Sequence, residues 1–103
     1  MMKVKAIAVM ALLSLGVAGN AVADGAALFT AKACMSCHGA DGKSPIMPMY
    51  PKVTGQSSDY TYNQMMDIKS GARANGQSMA MKGIMAGVSE ADARAIADWL
   101  ATQ

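Results

Sequence analysis

The sequence predicts an all-α domain, and three observations carry this prediction. Apolar residues recur at the i, i+3, i+4 spacing of a helix face, and Ser, Asp and Gly stand where such helices would begin and end. No stretch alternates between apolar and polar side chains with the period of a half-buried strand. A length of 103 residues accommodates one small domain.

Residues 1–23 are predicted to be a secretory signal peptide. Two lysines precede an apolar run over residues 6–18, and Ala21-Val22-Ala23 supplies the small side chains that a signal peptidase recognises. The run is shorter than the roughly 20 apolar residues that span a bilayer, which disfavours the alternative of an uncleaved anchor. We therefore expect cleavage after about Ala23, export to the periplasm and no stable membrane insertion afterwards.

The predicted mature domain, residues 24–103, has no net charge. The whole chain carries nine Lys or Arg and seven Asp or Glu, but Lys3 and Lys5 lie in the predicted signal peptide. Seven basic side chains therefore balance the seven acidic ones, and no basic stripe remains to neutralise phosphates. Nucleic acid is not an expected partner.

A predicted helix lies at each end of the mature domain. Asp24 is a favourable N-cap for the first helix, which extends through Lys32. Ser89 is a favourable N-cap for the last helix, with Asp92 three residues on, as in a capping box. The apolar faces of these two helices carry, in chain order, Leu28, Phe29, Ile96, Trp99 and Leu100.

A third helix is predicted from about residue 59 to residue 69. Ser57 or Ser58 would cap its start, and Gly71 stands where a glycine would end it. Its apolar face carries Tyr62, Met65 and Met66.

The Gly- and Pro-rich segments 39–55 and 71–87 are predicted to be loops. They have little structural propensity of their own, so they would stay disordered unless they wrapped around something. The domain is also small and poor in aromatic rings, which leaves a thin hydrophobic core. Both features indicate that a covalent cross-link, a metal or a cofactor stabilises the domain.

The motif Cys34-Met35-Ser36-Cys37-His38 is the strongest chemical signal in the sequence. Two cysteines separated by two residues and followed directly by histidine are the signature of covalent haem attachment. One helical turn brings both thiols within reach of the two vinyl groups, to which each thiol adds once. His38 is then the expected proximal ligand of the iron.

Three other interpretations of this motif are weaker. A thioredoxin-like redox pair needs βαβ units that the sequence lacks. A zinc site needs a fourth ligand, but His38 is the sole histidine and there is no third cysteine. A disulfide between Cys34 and Cys37 suits an oxidising compartment, yet it leaves His38 and the Met-rich loops unexplained.

The sixth ligand of the iron would be Met or Lys, or the position would be open, since there is no second histidine. A thioether is a soft ligand that suits haem iron and raises its reduction potential relative to two histidines. Met35 lies inside the attachment turn, and Met65 and Met66 lie on a predicted helix. Chemistry alone therefore leaves the methionines of the predicted loops open: Met47, Met49, Met79, Met81 and Met85.

Six segments of the mature domain resemble a known family. They are residues 24–29, 34–42, 50–56, 69–73, 88–89 and 99–100. Together they resemble the monohaem class I c-type cytochromes, in particular the small bacterial cytochrome c-553 type. The resemblance implies a class I cytochrome c fold, with three to five short helices wrapped around one covalently attached haem c. It also implies that the terminal helices cross with the rings of Phe29 and Trp99 in contact.

The resemblance further implies roles for individual residues. In the family, the axial methionine lies seven residues before the apolar residue that precedes the Ser cap of the last helix. Counting back from Val88 gives Met81, with Met79 as the alternative. A proline carbonyl also accepts the Nδ1 hydrogen of the proximal histidine, which points to Pro51, with Pro48 as the alternative.

The expected function is that of an electron carrier. An iron with protein ligands on both sides exchanges one electron with little rearrangement and does not readily bind substrate. The sole histidine is committed to haem, so no acid–base constellation remains and we expect no substrate chemistry. We expect the protein to be a monomer whose partners are a redox protein donor and acceptor. Two alternatives stay open: a haem-bearing electron-transfer subunit of a larger oxidoreductase, and an open-site haem sensor or enzyme.

Two sets of side chains are candidates for the docking surface around a haem edge. An apolar patch would consist of Met47, Met49 and Ile84. A basic rim would consist of Lys43, Lys52, Lys69 and Lys82.

Overall fold

The computed structural model describes residues 24–103, which form five α-helices and contain no strand. The helices are α1 (Gly25–Ala31), α2 (Met35–His38), α3 (Ser58–Ser70), α4 (Ser78–Met85) and α5 (Glu90–Ala101). The predicted all-α class is confirmed. In this part of the chain, no helix combines the length and the apolar composition needed to cross a bilayer. The predicted signal peptide lies outside the described residues.

Side-chain caps begin the three helices that the sequence predicts. Asp24, Ser57 and Ser89 each accept a hydrogen bond from the backbone N–H three residues on, at 3.1–3.2 Å. Each bond satisfies an N–H group that has no partner within its helix, and is worth about 1 kcal/mol. Of the two serines considered for α3, Ser57 is the cap. Gly71 ends that helix in the left-handed conformation, as predicted.

The terminal helices α1 and α5 cross closely. The ring centroids of Phe29 and Trp99 lie 5.2 Å apart with a tilt of 50°, so the expected ring contact is confirmed. Gly25 permits this approach, because a Cβ atom there would overlap the carbonyl oxygen of Ala95 and lie 2.5 Å from the Cβ of Trp99. The crossing buries Phe29 almost completely.

Helix α5 is the centre of the fold, since it packs against both α1 and α3. Its buried face joins a core whose members are Phe29, Cys34, Met65, Ile68, Met85, Val88, Ala93, Ile96 and Leu100. On the surface, Arg94 of α5 donates hydrogen bonds to Asp59 at 2.8 Å and to Ser58 at 3.0 Å. Its guanidinium also lies 4.5 Å from the ring centre of Tyr62, so one side chain ties α3 to α5.

Helix α4 was not predicted, and the assignment of residues 71–87 to a loop is wrong for residues 78–85. Ser78 and Met85 are buried on its inner face, and Met81 lies half-buried between them. Gly83 in the middle of the helix lowers its helical propensity by about 1 kcal/mol relative to alanine, and this masked the helical pattern of the segment in the sequence. Met79, Met81 and Met85 therefore have fixed directions on a helix instead of lying on a flexible loop.

Candidate functional site

The last four residues of the Cys-x-x-Cys-His motif form the short helix α2, and Cys34 is its N-cap. Ala33, just before it, has φ 65°, an unusual conformation for a residue with a side chain, and turns the chain from α1 into α2. No disulfide joins the two cysteines, and Cys34 is buried while Cys37 is half-buried. Burial raises the pKa of the Cys34 thiol, and a backbone hydrogen bond opposes this shift.

His38 is the last residue of α2, and its imidazole is held by a hydrogen bond to the segment that follows α2. Its side chain is buried, and its Nδ1–H donates to the carbonyl oxygen of Pro51 at 2.8 Å, the contact that the family resemblance implies. A carbonyl can only accept, so the proton of a neutral imidazole resides on Nδ1. The lone pair of Nε2 is then available to a metal. Pro48, the alternative partner, is exposed and makes no such contact.

A cavity of about 620 Å³ lies beside α2. Its volume falls within the range of roughly 300–1,000 Å³ that is typical of cofactor sites. Cys37 and His38 contribute to its wall, together with the segment after α2, one face of α3, the turn before α4 and one side of α4 as far as Ile84. Its other apolar lining residues are Met49, Tyr50, Pro51, Val53, Met65, Ile68, Ala80, Met81 and Ile84.

The structure separates the two methionines that the family register favours. Met81 is half-buried and lines the cavity, whereas Met79 is 57% exposed and does not line it. The reason is that two residues two positions apart on a helix are related by a rotation of about 200° around its axis, so their side chains point to nearly opposite sides. Of the other candidates, Met85 is fully buried in the core, and Met49 lines the cavity but is 56% exposed.

Arg73 is the one charged side chain among the residues that line this cavity. Its guanidinium donates to the side-chain oxygen of Gln64 at 3.1 Å, which holds it in place. A guanidinium beside a mostly apolar cavity suits a bound molecule that carries an anionic group. Sequence reasoning did not single out Arg73, although a signal existed, because Arg73 is the only charged residue between α3 and α4.

The lining of the cavity fits haem c. Cys37 and the buried Cys34 lie one helical turn apart for the two thioether bonds, and His38 offers a free Nε2. Met81 offers a thioether from another wall, and the apolar side chains suit a porphyrin face. Arg73 suits the carboxylates of the propionate groups.

Comparisons with known proteins agree with this chemistry. Residues 22–103 match the family model described as Cytochrome c. Cytochrome c4 of Pseudomonas aeruginosa is 45% identical over 95 residues, which cover 89% of this chain and 45% of that protein. Cytochrome c-553 of Nitratidesulfovibrio vulgaris is 32% identical over 90 residues, which cover 87% of this chain and 86% of that protein.

A third relative is named for its role. The thiosulfate dehydrogenase electron acceptor of Stutzerimonas stutzeri is 34% identical over 82 residues, which cover 73% of this chain and 37% of that protein. The chain thus spans less than half the length of the cytochrome c4 protein and of this acceptor, but most of the length of cytochrome c-553. Because the Cytochrome c match covers all of the described residues, the chain belongs to the cytochrome c family, as a class I c-type cytochrome with covalently bound haem c.

Proposed function

We propose that this protein is a periplasmic electron carrier that passes single electrons between a redox protein donor and acceptor. Its haem iron would be ligated by His38 and Met81. The observation that carries the proposal is that both side chains line one cavity, with the Nδ1 of His38 engaged by Pro51 so that Nε2 is the ligand. Bound haem supplies one-electron chemistry at its iron. With both axial positions occupied by protein groups, no position remains for a substrate, and the protein would not be an enzyme.

Each residue of the site has a distinct task in this proposal. Cys34 and Cys37 bind the haem covalently. The bond from His38 to Pro51 fixes the orientation of the imidazole and strengthens it as a donor. Met81 is presented by a helix, so that it can stay in place in both redox states. The apolar wall excludes water, which favours the ferrous state because its net charge is lower.

Export and electron transfer have separate support. Export to the periplasm is supported by the signal-peptide pattern of residues 1–23. Electron transfer is supported by a relative whose name describes it as the electron acceptor of thiosulfate dehydrogenase. The donor and acceptor of this chain would be redox proteins of the same compartment.

Docking would use the apolar patch more than the basic rim. Met49 and Ile84 line the cavity and are 56% and 39% exposed, and Met47 is 44% exposed beside them in the sequence. Lys69, one of the four lysines considered for the rim, is half-buried and donates to two backbone carbonyls. The expectation that it contributes to an exposed rim is wrong. Flexible methionines suit contact with more than one partner surface.

Replacing Arg73 with glutamine is expected to lower the reduction potential by about 60 mV, a tenfold change in a one-electron equilibrium. The guanidinium favours the ferrous state, because the added electron reduces the net positive charge beside it. Redox titration of the holoproteins measures the shift. Arg94→Gln removes the same charge from the surface between α3 and α5, where the side chain is 42% exposed, and should leave the potential near that of the wild type. Equal potentials in all three proteins would contradict the role of Arg73.

The optical spectrum of the holoprotein tests the proposed ligation and function. The ferric protein is expected to show the weak far-red charge-transfer band of a sulfur–iron bond, and the ferrous protein should not bind carbon monoxide stably. A high-spin ferric spectrum together with stable carbon monoxide binding would instead establish an open-site sensor or enzyme. Copurification with a larger polypeptide would indicate a subunit of an oxidoreductase rather than a free carrier.

A further inference from the structure

Lys69 connects α3 to the C-terminal end of α4. Its ammonium group donates to the carbonyl oxygen of Met85, the last residue of α4, at 2.8 Å, and to that of Val88 at 2.7 Å. Hydrogen bonds from a charged donor are shorter and stronger than neutral ones, and both distances are in that range. The ammonium also lies at the negative end of the dipole of α4, which adds to its stabilising effect.

Helix α4 has few other polar attachments. Of the five helices, it packs only against α3. Gln77 forms no side-chain cap at its start, and Ala86 at its end has a right-handed conformation, unlike the glycine that often closes a helix. Within the described part of the chain, the side-chain hydrogen bonds that reach residues 78–88 all come from Lys69. Lys69 is therefore the polar anchor of this helix.

The anchored end of α4 is one turn from the proposed iron ligand. Met81 and Met85 are four residues apart, so they share one face of the helix. Met85 is fully buried in the core, and Met81 lines the cavity. A movement of Met85 and its carbonyl away from α3 would also move Met81.

We propose that Lys69 is a positioning residue that keeps the thioether of Met81 at the iron by fixing the end of α4 to α3. This inference rests on the proposed His38–Met81 ligation. Lys69 does not line the cavity, so it acts through the backbone of α4 and not by contact with the cofactor. Its loss leaves both carbonyls without their charged partner, so that apolar packing alone holds this end of α4 against α3.

Lys69→Met and the matched variant Lys82→Met test this role. Both changes remove one ammonium group, but Lys82 is exposed on α4 and its Nζ has no hydrogen-bond or ion-pair partner in the described residues. Imidazole, titrated into the ferric holoprotein, competes with Met81 for the iron. A less firmly held Met81 raises the apparent affinity for imidazole, and we expect about a tenfold increase in Lys69→Met. The far-red band should weaken in the same variant, while Lys82→Met should match the wild type in both measurements.

The outcomes separate this inference from the proposed ligation. A wild-type protein without the far-red band would overturn the ligation itself, and the role of Lys69 with it. A wild-type protein with the band, and a Lys69→Met variant with unchanged band and imidazole affinity, would overturn only the positioning role. The positioning role is equally overturned if Lys69→Met lowers the melting temperature alone, because a purely structural contact would do that.

Two further variants keep the test decisive. Lys69→Arg retains a charged donor and should restore most of the wild-type imidazole affinity and band intensity. If Lys69→Met does not retain haem, Lys69→Gln replaces it, because glutamine keeps a neutral donor at this position. For Lys69→Gln, an increase in imidazole affinity that is smaller than tenfold supports the proposal, and an affinity equal to that of the wild type contradicts it.

Discussion

Replacing Met81 with alanine is expected to abolish the far-red band of the ferric holoprotein and to lower its reduction potential by on the order of 100 mV. Alanine has no donor atom, so the sixth position of the iron would pass to water. Loss of the soft thioether removes a ligand that favours the ferrous state. The ferrous variant should then bind carbon monoxide, which optical titration detects directly.

Met79→Ala is the control for this substitution. Both residues lie on α4, both changes are from methionine to alanine, and both have the same effect on helix propensity. Met79 is 57% exposed and does not line the cavity, so its variant should keep the band, the potential and the resistance to carbon monoxide. Loss of the band in Met79→Ala alone would reverse the assignment. Retention of the band in both variants would assign the iron ligand to another methionine. Met49 would be the next candidate, because it also lines the cavity.

The three helices predicted from the sequence have strong local signals. Asp24, Ser57 and Ser89 are side chains that cap helices by contacts within three residues, and such contacts can be inferred without knowing the fold. The attachment motif is equally local, because its spacing follows from the reach of one helical turn. These features could be predicted since each depends only on neighbours in the chain.

Helix α4 could not be predicted in this way. Gly83 in its interior and Gly76 and Gly87 around it give the segment a low helix propensity. The helix forms because Met85 is buried in the core and Lys69 binds its C-terminal end. Both contacts come from residues distant in the sequence, so tertiary packing overrides the local preference.

The assignment of the sixth ligand also depends on both the sequence and the tertiary structure. Residue chemistry left five methionines open, and only a family resemblance pointed to Met81. The structure adds a physical reason, because the direction of α4 places Met81 at the cavity and Met79 away from it. For Lys69, in contrast, the sequence led to a wrong expectation. A lysine is expected to be an exposed charge, whereas the hydrogen-bond partners of Lys69 are backbone carbonyls that no sequence pattern marks.

Gly25→Ala is expected to destabilise the holoprotein by about 3 kcal/mol, a large fraction of the stability of a domain this small. The added methyl group would overlap the carbonyl oxygen of Ala95 and the Cβ of Trp99. Neither atom can move by a change of rotamer, so α1 must shift away from α5 and weaken the packing of Phe29 on Trp99. Urea unfolding of the ferric holoprotein, followed by the fluorescence of the single tryptophan, measures the change.

Gly83→Ala is the matched control, and its expected effect has the opposite sign. Gly83 also lies in a helix, but no heavy atom would come within 4 Å of an added Cβ there. Alanine should therefore stabilise the protein by about 1 kcal/mol through its higher helix propensity. Equal effects at the two positions would show that the crossing of α1 and α5 tolerates a side chain. Opposite effects would show that the close approach at Gly25 is what this small core depends on.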